Sequence, residues 1–396
     1  MITVDEAKNI IRQQDFERKT GDVRVVDAVD HILAEDVQAL IDIPAFNQSS
    51  MDGYAFAFDG WIPTEELTVT AEVRAGEQMK LSIEKGEAAR VFTGAAVPVG
   101  ADTVVMQEMV EVDNSRLTIM DNMVAKGNHV RLRGAEIKEG ERALQKGDYL
   151  SPAAIGFLSA IGVTQVTVFL PPRVAIIITG DELQIPGNKL VQGQVYEASS
   201  FMLSAVLKQM GIKEISIHNA KDTLDDTVEI LMNALDSADV VLLTGGVSVG
   251  DYDFVVSATE WCGIEQLFHR IKQRPGKPLF FGRKGNQPVF GLPGNPSSVL
   301  TCFYEYVWPV LRELTGKTNE LVSLKVPLKN AYAKTNQLKQ FLKGVYQHNQ
   351  VDVLNAQESF RLYSFAKANC LVMLDEEMRS YEENELVEIH LLPTYG

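Results

Sequence analysis

The sequence predicts a multidomain α/β protein, with a doubly wound α/β domain and β-rich modules, and three observations predict it. From Arg173 onward, apolar runs alternate with amphipathic stretches of helical spacing, the order expected of a parallel sheet wound on both faces. Between about residues 64 and 133 the period changes to short alternating runs separated by Gly, Asp and Asn, the signature of strands and tight turns. After about residue 317 helical spacing disappears, and LVSLKVPL, FLKGVYQ, VDVLNA, CLVMLD and LVEIHLL predict a small all-β module.

Taken in order, Thr3 followed by Glu6 forms a capping box that opens a first helix through Ile10 and Ile11. A second helical stretch is expected over roughly 26–36. LTVTAEV, ARVFTG, TVVMQEMVEV, RLTIM and HVRLR then read as strands, and SPAAIGFLSAIGV (151–163) returns to helix before Pro171-Pro172. The β-rich block is therefore an insertion into a helical element that resumes behind it. VAIIIT (174–179) is apolar at every position but the last, as a strand buried on both faces must be. A helix at about 199–210 carries Met202, Leu203, Val206, Leu207 and Met210 on one stripe and stops at Gly211. EISIH is the next strand, Thr223 with Asp226 caps a helix through Leu235, and DVVLLT (239–244) is the third strand. The domain boundaries that follow are 1–40 and 138–170 for the two parts of the helical domain, 41–137 for the inserted β-rich domain, 171–316 for the α/β domain and 317–396 for a small C-terminal all-β domain.

Composition narrows the function classes. In 396 residues, 45% are hydrophobic and 23% charged, ordinary for a globular chain, and the net charge is −16. With no cluster of five or more Lys/Arg, electrostatic attraction to nucleic acid or an anionic membrane is not expected. Cys262, Cys302 and Cys370 are far apart and odd in number, against a disulfide framework or zinc site and in keeping with a reducing compartment. Neither a signal peptide nor a membrane-length apolar run is visible, so the expected location is cytoplasmic.

Three loops leave the carboxyl ends of predicted strands, where ligands sit in open α/β sheets. VAIIIT runs into Gly180-Asp181-Glu182. DVVLLT runs into Gly245-Gly246-Val247-Ser248-Val249-Gly250-Asp251-Tyr252-Asp253. PVFGL runs into Pro293-Gly294-Asn295-Pro296-Ser297-Ser298. Glycines let backbone N–H groups converge on phosphate oxygens, and a Pro-Ser-Ser helix start offers the positive end of a dipole. Asp181, Glu182, Asp222, Asp251 and Asp253 are hard-oxygen candidates for Mg²⁺. HRIKQRPGKP adds Arg270, Lys272, Arg274 and Lys277, four bases in eight residues of an acidic chain, as expected of an anion site. Taken singly, each loop is also an ordinary turn; the three together, at one sheet edge with acids and bases interleaved, favour binding. GxxxxGK[ST] is missing and no GxGxxG follows a strand, which disfavours Walker-type ATPases and dinucleotide enzymes.

TGGVSVGDYDF, RPGKPLFFG and GLPGNPSSV, with ITGDEL (178–183) and GQVYEASS (193–200), resemble the molybdopterin-binding domain of the MoeA family, the molybdenum insertases, which are similar to the C-terminal portion of gephyrin. PAFNQSSMDGYAF (44–56), FTGAAVPVGADTVVMQE (92–108) and RLRGAEIKEG (131–140) extend the resemblance over nearly the whole chain. It implies an elongated helical domain with an inserted β-rich domain, a doubly wound α/β molybdopterin-binding domain and a C-terminal β-barrel. It implies a homodimer whose active site is shared between subunits, and contact with the molybdopterin adenylyltransferase. The implied reaction transfers molybdate to the dithiolene of adenylylated molybdopterin, releasing AMP with Mg²⁺ present.

Carried over residue by residue, the resemblance places Asp52 and Thr93 at the partner subunit's cleft. Glu182, Asp222 and Asp253 fall at the nucleotide and metal end, with Asp181 beside them as a further metal candidate. Gly245, Gly246 and Ser248 would cradle phosphate, Arg270, Arg274 and Lys277 hold phosphate and molybdate, and Pro293, Pro296 and Ser298 shape the third loop. Lys343 and Ser359 match positions that help recruit molybdate. The chain departs from the family pattern at Asn47-Gln48, Ala135-Glu136, Glu197-Ala198-Ser199 and Lys343, where Arg is usual; these affect rate and metal geometry more than fold. A non-catalytic scaffold and a phosphatase acting on another pterin or nucleotide are the alternatives, and AMP release with and without molybdate separates all three.

Overall fold

The computed structural model describes residues 1–77, 81–247, 254–318 and 320–393. The chain forms two compact units, Asp22–Val168 and the combination of Met1–Gly21 with Phe169–Gly396.

The Asp22–Val168 unit is built on a six-stranded sheet ordered Thr103–Met106, Gly53–Phe56, Glu87–Val91, Leu67–Val73, Arg116–Ile119, Val110–Asp113. Alternation sends Phe56, Ala88 and Val105 into one apolar cluster and Ala55, Val91 and Val104 into another, so both faces of the sheet are covered. The expected helix over 26–36 is a single 3-10 turn, Val25–Asp27, followed by extended chain. Its apolar spacing is overridden by pairing: the amides of Asp30, Leu33 and Ala34 donate to the carbonyls of Leu150, Asp148 and Thr167, and Asp30 takes φ +67°. The helix expected at 151–163 forms as Pro152–Ala160, with the Ser151 hydroxyl accepting from the Ala154 amide at 3.2 Å.

In the other unit, helix α1 (Val4–Arg12) opens with the Thr3–Glu6 capping box. Although the sequence assigns it to the first 40 residues, its Val4, Ala7 and Ile11 pack in the core of the α/β layer. That layer comprises β1 (Val174–Thr179), α2 (Ser199–Gln209), β2 (Ile215–Ala220), α3 (Leu224–Ser237), β3 (Val240–Thr244), α4 (Val255–Trp261), β4 (Glu265–His269), β5 (Phe280–Lys284), β6 (Gln287–Leu292) and α5 (Pro296–Cys302). The sheet order is β2-β1-β3-β6-β5-β4, with the first four parallel, β5 antiparallel to β6, and β4 antiparallel to β5. Ile176 and Leu242 face one helical layer, Ile177 and Leu243 the other, and all four are fully buried. Each such side chain contributes about 1.5–3 kcal/mol.

The barrel consists of β7 (Ser323–Pro327), β8 (Lys339–Gln347), β9 (Gln350–Val353), β10 (Cys370–Leu374) and β11 (Leu386–Leu391). It runs β9-β8-β10-β11-β7, and the Lys329 amide donating to Val351 O at 2.8 Å closes it beside the Leu328–Val351 bridge. One short helix, Leu362–Phe365, lies in this region where none was expected. The two-residue strand Gln273–Arg274 leaves the α/β layer and pairs in parallel with Lys339–Gln340 of β8. A buried charge group also ties the pieces together. Glu305, wholly buried, accepts from Lys8 Nζ at 2.5 Å and from His390 Nδ1 at 2.7 Å. Burial opposes its ionisation, but the Lys8 charge and the His390 contact outweigh this and hold the carboxyl at about 2.

Candidate active site

The carboxyl ends of β1, β3 and β6 open into a cavity of about 970 Å³. The position agrees with the rule for open α/β sheets, since the strand order reverses between β1 and β3. Glu182 and Asp222, Gly245 and Gly246, Arg274 and Lys277, Pro293, Pro296 and Ser298, and Ser359 from the barrel all line it. The three loops singled out by sequence thus meet in one concavity, with cations and carboxylates on its walls. Arg274, Lys277 and Glu182 are exposed, which leaves their charges available to a ligand.

Gly245 shows why the first loop pair needs glycine. Its φ is +86°, and a Cβ there would stand 2.7 Å from Thr179 Oγ1 and 2.9 Å from Thr179 O. Any side chain at 245 would push apart the ends of β1 and β3 where the cavity begins. Gly276 answers the same question for RPGK: φ is +81°, and a Cβ would lie 2.3 Å from Cys302 Sγ.

Sequence reading missed the residue that shapes this loop. Gln273 is fully buried, and its Nε2 donates to the carbonyls of Pro275 and Gly276, both at 3.1 Å. Its Oε1 accepts from the buried Tyr306 hydroxyl. One amide therefore holds the backbone between Arg274 and Lys277, and the strand pairing with β8 holds it from the other side. An isolated Gln in a basic run gives no sequence signal for such a role.

On the acidic wall, Asp222 accepts from the Asp181 amide at 3.1 Å, so Asp181 contributes backbone while its carboxylate is absent from the cavity lining. Among the described residues no three His, Cys, Asp or Glu side chains converge as a metal site. Mg²⁺ commonly takes only one or two carboxylates and completes its shell with water and substrate phosphate, so Glu182 and Asp222 fit it in kind.

Several sequence-derived candidates lie elsewhere. Arg270 is half-buried with φ +76°, turning the chain out of β4, and does not line the cavity. Lys343, expected at the molybdate end, is 2% exposed, on the face of β8 opposite the barrel-core residue Leu342. Its Nζ donates to the carbonyls of Ala356 (2.9 Å), Arg361 (3.1 Å) and Glu358 (3.4 Å). Those three contacts match the three donors of the ammonium. Ser359 does reach the cavity, and its Oγ accepts from Asn295 Nδ2 at 3.0 Å. Ser248 and Asp253, like Asp251, lie outside the described residues.

Asp52 and Thr93 belong to the Asp22–Val168 unit. There Asp52 Oδ1 accepts from the Thr93 amide (2.8 Å) and hydroxyl (2.9 Å). These bonds, the amide's first, lower the carboxyl below its ordinary value, so Asp52 is an anion at neutral pH. The departures from the family pattern also have local partners. Asn47 Oδ1 accepts from the Arg133 amide at 2.9 Å, and Gln48 pairs with Arg131 across two short strands. The Glu136 amide donates to Ile43 O at 2.9 Å. Glu197, 8% exposed on the cavity wall, takes the Ser200 amide at 2.7 Å and hydroxyl at 2.5 Å, capping α2, whose first residue is Ser199. An oxygen acceptor serves each of the Asn47 and Glu197 contacts.

Comparison with known proteins places these features in a family. Residues 2–162 match the MoeA N-terminal region (domain I and II), 175–313 the family described as "Probable molybdopterin binding domain", and 325–392 the MoeA C-terminal region (domain IV). A molybdopterin molybdenumtransferase of Haemophilus influenzae is 31% identical over 99% of this chain and 100% of its own length. One from Nostoc sp. is 38% identical over 78% of this chain and 72% of its own. The crystal structure of a molybdopterin biosynthesis MoeA protein from Pyrococcus horikoshii superposes with a TM-score of 0.88 at 30% identity, covering 100% of both chains. By matched regions, full-length relatives and fold, the chain belongs to the MoeA family.

Proposed function

We propose that this protein is a molybdenumtransferase that inserts molybdenum into molybdopterin during cofactor biosynthesis, as the names of its relatives support. The observation that carries the reading is the 970 Å³ cavity, lined by the cations Arg274 and Lys277, the acids Glu182, Glu197, Asp222 and Glu358, and a glycine-lined sheet edge. Adenylylated molybdopterin carries a pyrophosphate, and molybdate is a four-oxygen dianion; both require convergent positive charge in a partly dehydrated site.

Arg274 and Lys277 bind and orient the phosphate and molybdate oxygens, held in place by the Gln273 amide. Gly245 and Gly246 admit the phosphate close to the backbone, and α5 begins at the cavity wall with the positive end of its dipole. Glu182 and Asp222 would hold Mg²⁺, which supplies neutralisation of phosphate charge when bound. Release of AMP accompanies transfer of molybdenum to the dithiolene. No Cys nucleophile is needed: Cys302, nearest the loop, is buried and its thiol is raised well above the ordinary range.

The same reading assigns a cytoplasmic homodimer in which Asp52 and Thr93 of one subunit serve the partner's cavity, receiving substrate from the molybdopterin adenylyltransferase. AMP release from adenylylated molybdopterin tests the reading. Release that requires molybdate is expected. Equal release without molybdate identifies a phosphatase, and tight binding with no release identifies a scaffold.

A further inference from the structure

The segment 354–361 forms the barrel's side of the cavity, presenting Gln357, Glu358, Ser359 and Phe360 to it. It contains no regular secondary structure, yet it is tied down from behind. Lys343, in the middle of β8, gives its three ammonium donors to Ala356 O, Glu358 O and Arg361 O. Its own amide donates to Gln357 Oε1 at 2.9 Å, while Gln357 Nε2 returns a bond to Lys343 O at 2.9 Å and reaches Leu354 O at 2.7 Å. The Ser364 hydroxyl donates to two of the same carbonyls, Ala356 (2.8 Å) and Arg361 (3.2 Å). On the cavity side, Ser359 Oγ takes the Asn295 amide of the PGNP loop.

We propose that Lys343 is a positioning residue. Its buried ammonium holds segment 356–361 so that Ser359 meets Asn295 at the cavity, and it does not itself touch the oxyanion. An ammonium has three N–H groups, and here all three have carbonyl partners, so none remains for molybdate. A guanidinium at the same place has five and would keep some for a ligand, so the Lys found here changes the role and not only the strength of the contact. Burial costs a cation several kcal/mol unless it is compensated, and the carbonyls supply that compensation. Burial, helped by the Arg361 charge and opposed by the Glu358 charge, lowers the Lys343 ammonium below its ordinary value. The inference rests on the proposed molybdate transfer only for its kinetic consequence; the loop geometry stands without it.

The test compares Lys343→Met, which keeps the stem and removes the donors, with Ser359→Ala and the double variant in the full-length protein. Hydrogen exchange of the 356–361 amides and the apparent KM for molybdate are both measured. Loss of bonds to three carbonyls is expected to speed exchange in 356–361 by about tenfold or more, leaving β10 and β11 unchanged. The molybdate KM should rise about tenfold with kcat at saturating molybdate within about twofold, and Ser359→Ala should add little in the Lys343→Met background. A raised KM with unchanged exchange in 356–361, or fully additive effects, overturns the proposal and makes Lys343 a direct ligand. Should Lys343→Met fail to fold, Ser364→Ala loosens the same carbonyls with the ammonium in place. A faster-exchanging loop with an unchanged molybdate KM then overturns it, and a raised KM supports it. A wild-type protein that shows no molybdate-dependent AMP release, with the loop still loosened in Lys343→Met, refutes the function and leaves the positioning role standing.

Discussion

Replacing Gln273 by Leu isolates the contribution of loop geometry to anion binding. Leu keeps the apolar volume but removes the donor to Pro275 O and Gly276 O and the acceptor of the Tyr306 hydroxyl. Gly276 and Tyr306 are buried, so the Tyr306 hydroxyl loses its partner and Gly276 O keeps only the weak Cys302 thiol at 3.9 Å, where water does not replace the amide; Pro275 is half-buried and gains some solvation. At about 1–3 kcal/mol for each unsatisfied buried group, the cost is about 3 kcal/mol. The disrupted backbone lies between Arg274 and Lys277, so the loss falls on the bound geometry of those cations. A full transfer of about 3 kcal/mol to binding corresponds to about 100-fold in affinity. Titration calorimetry with pyrophosphate as the probe should therefore show Gln273→Leu weaker by about 10- to 100-fold. Tyr306→Phe, which strips only one bond and leaves both carbonyl contacts, should lose about threefold to tenfold. Affinity within twofold of wild type for Gln273→Leu, together with an unchanged urea midpoint, would refute the reasoning.

Other consequences can be checked on the same preparations. Asp239 is held at about 2 because bonds from Arg173 and Lys19 outweigh its burial, so this contribution is complete above its unfolded value near 4 and is lost as pH falls towards 2. Urea unfolding at pH 6 and pH 3 should show an acid-labile component on the order of 1 kcal/mol that Asp239→Asn abolishes. Lys8→Met leaves Glu305 buried with only His390 as partner and should cost about 3–5 kcal/mol of unfolding free energy, partly recovered by adding Glu305→Gln. Asp52→Asn preserves the oxygen that accepts from Thr93 and should leave the urea midpoint unchanged, yet reduce AMP release at least tenfold if its charge serves the reaction.

Much of the α/β layer is legible in the sequence because its strands are buried on both faces and its helices carry one apolar stripe. VAIIIT and VVLLT admit no other reading at that length, and the glycine-rich ends that follow them mark the cavity. Other features depend on partners distant in the chain. Residues 26–36 have helical spacing but form no helix beyond the Val25–Asp27 turn, because carbonyls about 115–135 residues later take the amides of Asp30, Leu33 and Ala34. Gln273 and Lys343 gain their roles from where a short strand joins β8, and from carbonyls of a loop whose path no local pattern encodes. For Lys343 the resemblance supplied a role typical of Arg, whereas the carbonyl partners of its ammonium come from a loop that the sequence pattern does not place.

The most direct test of the central claim is the stoichiometry of molybdenum transfer. Adenylylated molybdopterin, molybdate and Mg²⁺ are incubated with wild type and with a Lys277→Met variant, and AMP and pterin-bound molybdenum are quantified in the same samples. The account predicts one molybdenum bound to the pterin for each AMP released by wild type, and loss of both together in Lys277→Met. AMP released with no molybdenum on the pterin, or molybdenum transfer unaffected by Lys277→Met, would contradict it.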